Sequence, residues 1–187
     1  MVPIAIDGPA VEPVSVPEMR AFLRLDDGAE DELVAGLVKA ARLLVEASSR
    51  RILVEQRWRL RLDRWPVRRL VLLPLSPLLA VESVGVRDAA GTLQDLGAGF
   101  FEADPAADPP RIRVSPLAPE PGLPAGGIEI VLRAGYGAAA MAVPPPLRLA
   151  IRMLAARWFE NRGDLLGQQS LPPDIDALLA PFRRARL

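Results

Sequence analysis

One stretch near the carboxyl end, VPPPLRLAIRMLAARWFENRGD at residues 143–164, most constrains how this chain can fold. Three successive prolines suit the first turn of a helix, where backbone N–H groups are not needed, but not its interior. Apolar residues then recur at helical spacing, and Gly163 stands where a left-handed C-cap is expected. The stretch therefore predicts a helix of about 30 Å, with Ile151, Leu154 and Trp158 in the core.

The residue types present exclude several classes of chemistry. The 187 residues include no cysteine and no histidine. Disulfide frameworks, thiolate chemistry, Ser-His-Asp triads and histidine-ligated zinc are therefore excluded. A formal net charge of zero argues against a surface that binds nucleic acid or anionic lipid all over. We expect no enzymatic activity, no cofactor and no metal site, and no apolar run approaches the roughly 18 residues that cross a bilayer.

The first third of the chain predicts an arm followed by two helices. Residues 1–14 are rich in proline and carry acidic residues, which is typical of an extended arm. Ser15 and Glu18 have the spacing of a capping box, which predicts the start of a short helix. The run Asp26-Asp27-Gly28 ends that helix, and a second helix is predicted from about residue 29 to residue 49.

The second helix has two adjacent apolar stripes, which indicates contact with more than one neighbour. One stripe supplies the predicted core residues Leu33, Leu37 and Leu44; beside it run Val34, Val38, Ala41 and Val45. Acidic residues occupy its first turn, where the helix dipole favours anions; these are Glu30, Asp31 and Glu32.

Between residues 52 and 137 the apolar period changes from that of a helix to that of a strand. The segment VEQRWRLRLD places Trp58, a further predicted core residue, on one face and Arg57, Arg59 and Arg61 on the other. Short strands are also predicted at residues 70–73, 79–87, 92–96, 111–114 and 128–133. Their short connections favour antiparallel pairing.

This order of elements predicts an α+β fold. The expected organisation is an arm at residues 1–14, one α+β domain at 15–163, and a linker with a C-terminal docking helix or tail at 164–187. Within the domain, helices lie in residues 15–50, the β-rich region in 52–137, and the long helix in 144–163.

Seven arginines lie between Arg51 and Arg69, against Glu55 and Asp63. This basic strand has two interpretations. It is either the solvated outer face of a sheet or a surface that faces phosphates or an acidic protein. The second interpretation allows an alternative function for the chain, a small nucleic-acid-binding protein that uses the Arg51–Arg69 strand.

The C-terminal segment also has two interpretations. A basic tail is readily left in solvent. Alternatively, residues 175–187 order only on docking to a partner, because apolar anchors there have helix-in-groove spacing. The anchors are Ile175, Leu178, Leu179 and Phe182, and the accompanying cations are Arg183, Arg184 and Arg186.

Taken together, these segments resemble the head–tail connector (adaptor) proteins of long-tailed phages and phage-like gene transfer agents. The resemblance depends on the order and spacing of seven segments. They are PEMRAFLRLDD, DELVAGLVKAARLLVEASSRR, WRLRLDRWP, LPLSPLLAVESVGVRDAAG, IVLRAGYG, VPPPLRLAIRMLAARWFENR and LPPDIDALLAPFRRARL.

The resemblance implies a structural virion component without catalytic residues. It implies a helical bundle, built from the N- and C-terminal segments, into which the antiparallel β-rich region is inserted. It also implies a ring of about a dozen copies in the neck of a particle assembled in the bacterial cytoplasm. The implied partners are further copies of the chain, the portal protein, and a head-closure (stopper) or tail protein. The resemblance also implies that DNA passes through the channel without sequence-specific binding. It implies no membrane partner.

Two sets of contacts follow as expectations for such a ring. Opposite charge on separate elements predicts that Glu30, Asp31 and Glu32 contribute to one subunit surface and Arg57, Arg59 and Arg61 to the other. The C-terminal anchors and arginines, from Ile175 to Arg186, are expected to dock on the portal, with a neighbouring adaptor subunit as the second choice.

Overall fold

A computed structural model of the chain describes residues 1–161 and 171–183. The chain divides into two compact units. The sheet unit comprises Met1–Pro9 and Glu55–Gly135, and the helical unit comprises Ala10–Val54 and Tyr136–Leu187. The presence of both helices and antiparallel sheets confirms the predicted α+β class.

The sheet unit contains two antiparallel sheets. A five-stranded sheet has the order β1-β2-β8-β4-β5, and a three-stranded sheet has the order β3-β7-β6. The strands are β1 (Val2–Asp7), β2 (Gln56–Leu62), β3 (Leu70–Leu72), β4 (Leu78–Arg87), β5 (Leu93–Asp95), β6 (Phe101–Asp104), β7 (Arg111–Val114) and β8 (Ile128–Ala134).

Two of these strands were not predicted from the sequence. The first, β1, forms within the proline-containing arm and pairs with β2. A proline is compatible with this strand because β1 lies at the edge of the sheet, where one row of N–H groups needs no partner. The second, β6, is only four residues long; its apolar and polar side chains alternate, but four residues are the shortest run over which alternation indicates a strand.

Register places apolar side chains of the central strands on one face of the larger sheet. Trp58 lies opposite Leu132, and Leu60 lies opposite Ile130. Both Leu60 and Ile130 are fully buried, whereas Trp58 is half-buried. The alternation predicted for β2 is therefore present, and the arginines occupy its opposite face.

Within its described residues, 10–54, 136–161 and 171–183, the helical unit contains four α-helices that share one apolar core. They are α1 (Val16–Leu23), α2 (Asp31–Ser49), α3 (Pro145–Glu160) and α4 (Pro173–Leu179). The helix predicted at residues 144–163 is present as α3, whose 16 residues span about 24 Å. Its core residues Ile151 and Leu154 are buried, and Trp158 is half-buried. Gly163 lies outside the described residues.

The start of α1 confirms the predicted capping box. The backbone N–H of Ser15 donates to Glu18 Oε2 at 2.9 Å, and the N–H of Glu18 donates to Ser15 Oγ at 3.3 Å. These two bonds satisfy N–H groups that have no partner within the helix.

The predicted core stripe of α2 requires a correction. Leu33 is 39% exposed, so its assignment to the core is wrong, and Leu37 and Leu44 are only half-buried. The neighbouring stripe is the one that faces α1 and α3, because all four of its members are buried: Val34, Val38, Ala41 and Val45. Periodicity identifies both stripes equally well, and only the packing partners select one.

A tight turn follows β8, where the chain passes from the sheet unit to the helical unit. Gly137 adopts a φ of +155°, and a Cβ at this position would lie 2.9 Å from the Cβ of Ala142. Both the backbone angle and the close approach require glycine here. This agrees with the turn predicted at Gly135-Tyr136-Gly137.

Candidate functional site

The basic face of β2 is ion-paired within the chain. Arg57 Nε lies 2.9 Å from Glu82 Oε2 of β4, and Arg57 Nη1 lies 3.2 Å from Asp7 Oδ2 of β1. The hydrogen bonds that Arg57 donates, first to Glu82 and then to Asp7, raise the pKa of its guanidinium. Arg57 therefore links three strands of its own sheet.

Arg59 and Arg61 share one carboxylate, that of Glu129 on β8. Their Nε atoms lie 3.2 Å and 3.6 Å from Glu129 oxygens, and Arg87 Nη2 lies 3.2 Å from the same group. Glu129 is 7% exposed, so one buried carboxylate is surrounded by three guanidinium groups. A buried charge is tolerated because it is paired in this way.

Arg133 continues the pattern on β8. Its Nη1 lies 2.7 Å from Glu55 Oε1, and its Nε lies 3.3 Å from Glu82 Oε1. The hydrogen bond with Glu55 raises the pKa of Arg133. The outer face of the larger sheet is thus a network of alternating charges. This network weakens the alternative of a nucleic-acid-binding protein. Carboxylates of the same chain already neutralise Arg57, Arg59 and Arg61, the central arginines of the basic strand.

The predicted acidic surface lies at the start of α2. Asp31 Oδ1 is 3.6 Å from Arg20 Nε of α1, and Glu30 is the N-cap residue, although its side chain makes no capping hydrogen bond. Glu32 is exposed. The three acidic residues are brought together simply because they are consecutive in sequence.

The C-terminal segment packs into the helical unit, which corrects the prediction that it orders only on docking. Ile175 and Leu179 are fully buried in the chain's own core, so neither is available as an anchor for a partner. Leu178 and Phe182 are half-buried against the same core. An amphipathic helix presents the same spacing whether its apolar face meets a partner or its own domain, so sequence alone left both alternatives open.

Hydrogen bonds hold the end of this segment against α2. Arg183 Nε donates to the Ser48 carbonyl at 3.2 Å, and its Nη2 donates to Asp176 Oδ1 at 2.6 Å. Arg51 Nε donates to the Phe182 carbonyl at 2.9 Å. The other two predicted docking cations, Arg184 and Arg186, lie outside the described residues.

Residues 1–161 and 171–183 contain no cluster of acidic side chains arranged to hold a metal ion. In the same ranges, no helix has both the length and the apolar character that a membrane span requires.

Three solved structures are similar to the chain over its full length. A chain in the neck of an empty gene transfer agent (GTA) particle, computed with C6 symmetry, is 30% identical, with a TM-score of 0.85. A chain in the virion of a native GTA particle is 29% identical, also with a TM-score of 0.85. A chain in the neck of a native GTA particle, computed with C12 symmetry, is 28% identical, with a TM-score of 0.82.

Each match covers 100% of this chain and 97% of the other. No family model matches the chain, and no curated protein matches it either. Because the sequences are also 28% to 30% identical over both units, the similarity extends beyond a shared fold. The chain is a structural component of a particle neck, works as part of a multimeric ring with other virion proteins, and is not an enzyme. It belongs to the head–tail connector (adaptor) proteins of long-tailed phages and phage-like gene transfer agents.

Proposed function

We propose that this protein is the adaptor that joins the portal to the tail of a phage-like particle, as a ring of about twelve copies through which DNA passes. The observation that carries the proposal is the match of the whole chain to neck chains of GTA particles, at TM-scores of 0.82 to 0.85. The C6 and C12 symmetries of those necks support a closed ring with a central channel.

Within this ring, we assign the helices of the N- and C-terminal segments to one bundle, into which the β-rich region is inserted. Two observations support this arrangement. Helices from both ends of the chain share one core, and the sheet unit is formed mainly by the intervening residues 55–135.

The proposed partners are the portal on one side and a head-closure or tail protein on the other. The acidic start of α2 (Glu30, Asp31 and Glu32) is our candidate for one surface between subunits. Our candidates for the portal contact are Arg183, which is exposed, together with Arg184 and Arg186. DNA would pass without sequence-specific binding, since a channel must accept any sequence.

The proposal is tested by deleting the gene in a strain that produces the particles. An adaptor is needed to attach tails, so electron micrographs should show DNA-filled heads and separate tails, and a plasmid copy of the gene should restore complete particles. Complete particles in the deletion strain would show that the protein is not the adaptor.

The portal contact is tested separately. Replacing Arg183, Arg184 and Arg186 with alanine removes three charges but leaves the buried Ile175 and Leu179 in place. We expect the variant to fold, and we expect particles to contain less of it than of the natural protein. If particles contain as much of the variant as of the natural protein, these arginines are not the docking element.

A further inference from the structure

The loop between β2 and β3 carries the most exposed of the large apolar side chains that the structure describes. Val67 is 90% exposed, and Leu117, on the loop after β7, follows at 85%. Many large apolar side chains of the sheet unit are buried, among them Leu60, Ile112 and Ile130. Two side chains that are almost wholly in water, on loops fixed to each other, therefore require an explanation.

Arg69 and Trp65 fix these two loops together. Arg69 Nη1 donates to the carbonyls of Ser115 and Ala118, at 3.2 Å and 2.8 Å, and its Nη2 pairs with Glu120. The buried Trp65 donates from Nε1 to the Pro119 carbonyl at 2.9 Å. The Arg69 guanidinium also lies 5.9 Å from the centre of the Trp65 ring, within the range of a cation–π contact.

The backbone at this point is strained. Arg68 and Arg69 have φ values of +68° and +51°, a left-handed conformation that is unfavourable for residues with a Cβ. The hydrogen bonds of Arg69 hold the backbone in this shape. Strain that the surrounding structure maintains in this way is concentrated at functional sites. Val67 and Arg68, in this turn, are exposed to solvent.

The loop also carries cations that the chain itself does not neutralise. Arg64 and Arg68 are exposed, and neither forms an ion pair in the part of the chain that the structure describes. They differ in this respect from Arg57, Arg59 and Arg61, whose guanidinium groups are paired across the sheet. We call this surface the arginine tip; it consists of Arg64, Val67, Arg68 and Leu117.

The helical unit has a surface of opposite charge and similar mixed character, at the corner between α1 and α2. Three of its carboxylates are exposed and form no ion pair within residues 1–161 and 171–183, and two apolar side chains beside them are 43% and 39% exposed. We call this surface the acidic corner; it consists of Asp26, Asp27 and Glu32 with Phe22 and Leu33.

We propose that the arginine tip of one copy docks on the acidic corner of the next copy in the ring. The inference rests on the proposed function, since it names the contact that would build the proposed ring. A head-to-tail contact requires two different and complementary surfaces on each subunit. The tip and the corner meet this requirement. The tip is positively charged, the corner is negatively charged, and both carry exposed apolar side chains beside their charges.

Compared with the subunit contact that the sequence suggested, only the basic half changes. The acidic half stays at the start of α2. The basic half moves from Arg57, Arg59 and Arg61, which have partners within the chain, to Arg64 and Arg68. DNA is the less suitable occupant of the tip, because phosphates would leave Val67 and Leu117 in water.

Disulfide trapping tests the contact directly, because the chain contains no cysteine and every cross-link must come from introduced residues. One cysteine replaces Val67 or Leu117 and a second replaces Phe22 or Leu33 in the same chain. The four double variants are incorporated into particles in the producing strain, oxidised mildly and run on a non-reducing gel. A disulfide forms only where Cα atoms lie within about 7 Å.

We expect at least one double variant to give a ladder of covalent multimers, because each copy would be linked to two neighbours. The single variants Val67→Cys and Leu33→Cys should give none. A matched control is Val67→Cys with Met141→Cys, since Met141 is 76% exposed but lies in neither surface; it should give no ladder either. If none of the four double variants cross-links in particles that contain the protein, the inference is overturned and the proposed function stands. Absence of the natural protein from purified particles would refute both.

Charge reversal gives a second, independent readout. Arg64→Glu with Arg68→Glu should lower the yield of tailed particles about tenfold or more, and adding Asp26→Arg with Glu32→Arg to the same chain should restore much of it. Arg113→Glu is the control, because Arg113 is also an exposed arginine of the sheet unit without an ion pair among the described residues. If the reversal lowers DNA binding but leaves the cross-links unchanged, the tip contacts DNA and our assignment is wrong.

Discussion

Arg148 of α3 and Glu18 of α1 form an ion pair, with Arg148 Nη2 at 2.6 Å from Glu18 Oε1. Arg148 is 7% exposed, and its Nε also donates to the Pro13 carbonyl at 2.9 Å. The same Glu18 side chain accepts the backbone N–H of Ser15. One carboxylate thus caps the first helix and holds it to a helix 130 residues further along the chain.

The Glu18 carboxylate gives a prediction about pH. The hydrogen bond from the Ser15 backbone, then that from the Ser15 hydroxyl and the contacts with Arg148, lower the pKa of Glu18 below its ordinary value of 4.5. A lowered pKa means that this stabilisation is complete above the ordinary value and is lost as pH falls through the lowered one. Glu18→Gln keeps the capping geometry but removes the charge, so we expect it to cost about 1 kcal/mol at neutral pH.

Urea unfolding of the natural protein and Glu18→Gln, from neutral pH to pH about 3, measures this effect. The difference between the two should shrink towards zero at the acid end. A difference that stays constant would show that the charge on Glu18 does not stabilise the fold. Glu18→Ala also removes the acceptor of the Ser15 backbone N–H, one half of the capping box, and should cost about 1 kcal/mol more than Glu18→Gln.

The carboxylate of Glu129 should be critical for the sheet unit. Glu129→Gln leaves Arg59, Arg61 and Arg87 close together without their shared counter-charge. We expect a loss of about 2–3 kcal/mol, below the cost of breaking a fully buried pair because the arginines are partly exposed. Added salt should recover part of the loss. Glu102→Gln, at an exposed position with no ion pair among the described residues, should change stability by less than about 0.5 kcal/mol.

Two leucines on α3 test which face of that helix is buried. Leu147 is fully buried, whereas Leu149 is 37% exposed. Leu147→Ala should therefore cost about 2–5 kcal/mol through lost burial and a new cavity, and Leu149→Ala less than about 1 kcal/mol. Chemical denaturation gives both values. Equal losses would contradict the orientation of α3 that the structure shows.

The C-terminal helix should stabilise the fold. Leu179→Ala removes a fully buried side chain and should cost about 2–5 kcal/mol. Asp174→Asn, on the same helix, loses only a long surface ion pair with Arg157 at 3.5 Å and should cost less than about 1 kcal/mol. Removing residues 172–187 should lower the unfolding midpoint more than Leu179→Ala does. An unchanged midpoint after truncation would mean that α4 does not belong to the core.

Several elements were predictable because their signals are local. The prolines before Leu147 mark the start of α3, and the Ser15–Glu18 spacing marks the start of α1. The alternation around Trp58 predicted β2 with its arginines on one face. Each of these signals depends on residues a few positions apart, whose geometry the periods of helix and strand determine.

By itself, the sequence determined the α+β class, most of the elements and the absence of cysteine and histidine chemistry. Only the tertiary structure decided that Val34 rather than Leu33 faces the core, that Arg59 and Arg61 share Glu129, and that Leu179 is buried. It also placed β1 at the edge of the larger sheet. The physical reason is that burial and ion pairing depend on partners tens of residues away. Periodicity along the chain describes which residues share a face, but the partner that covers that face is supplied by the fold.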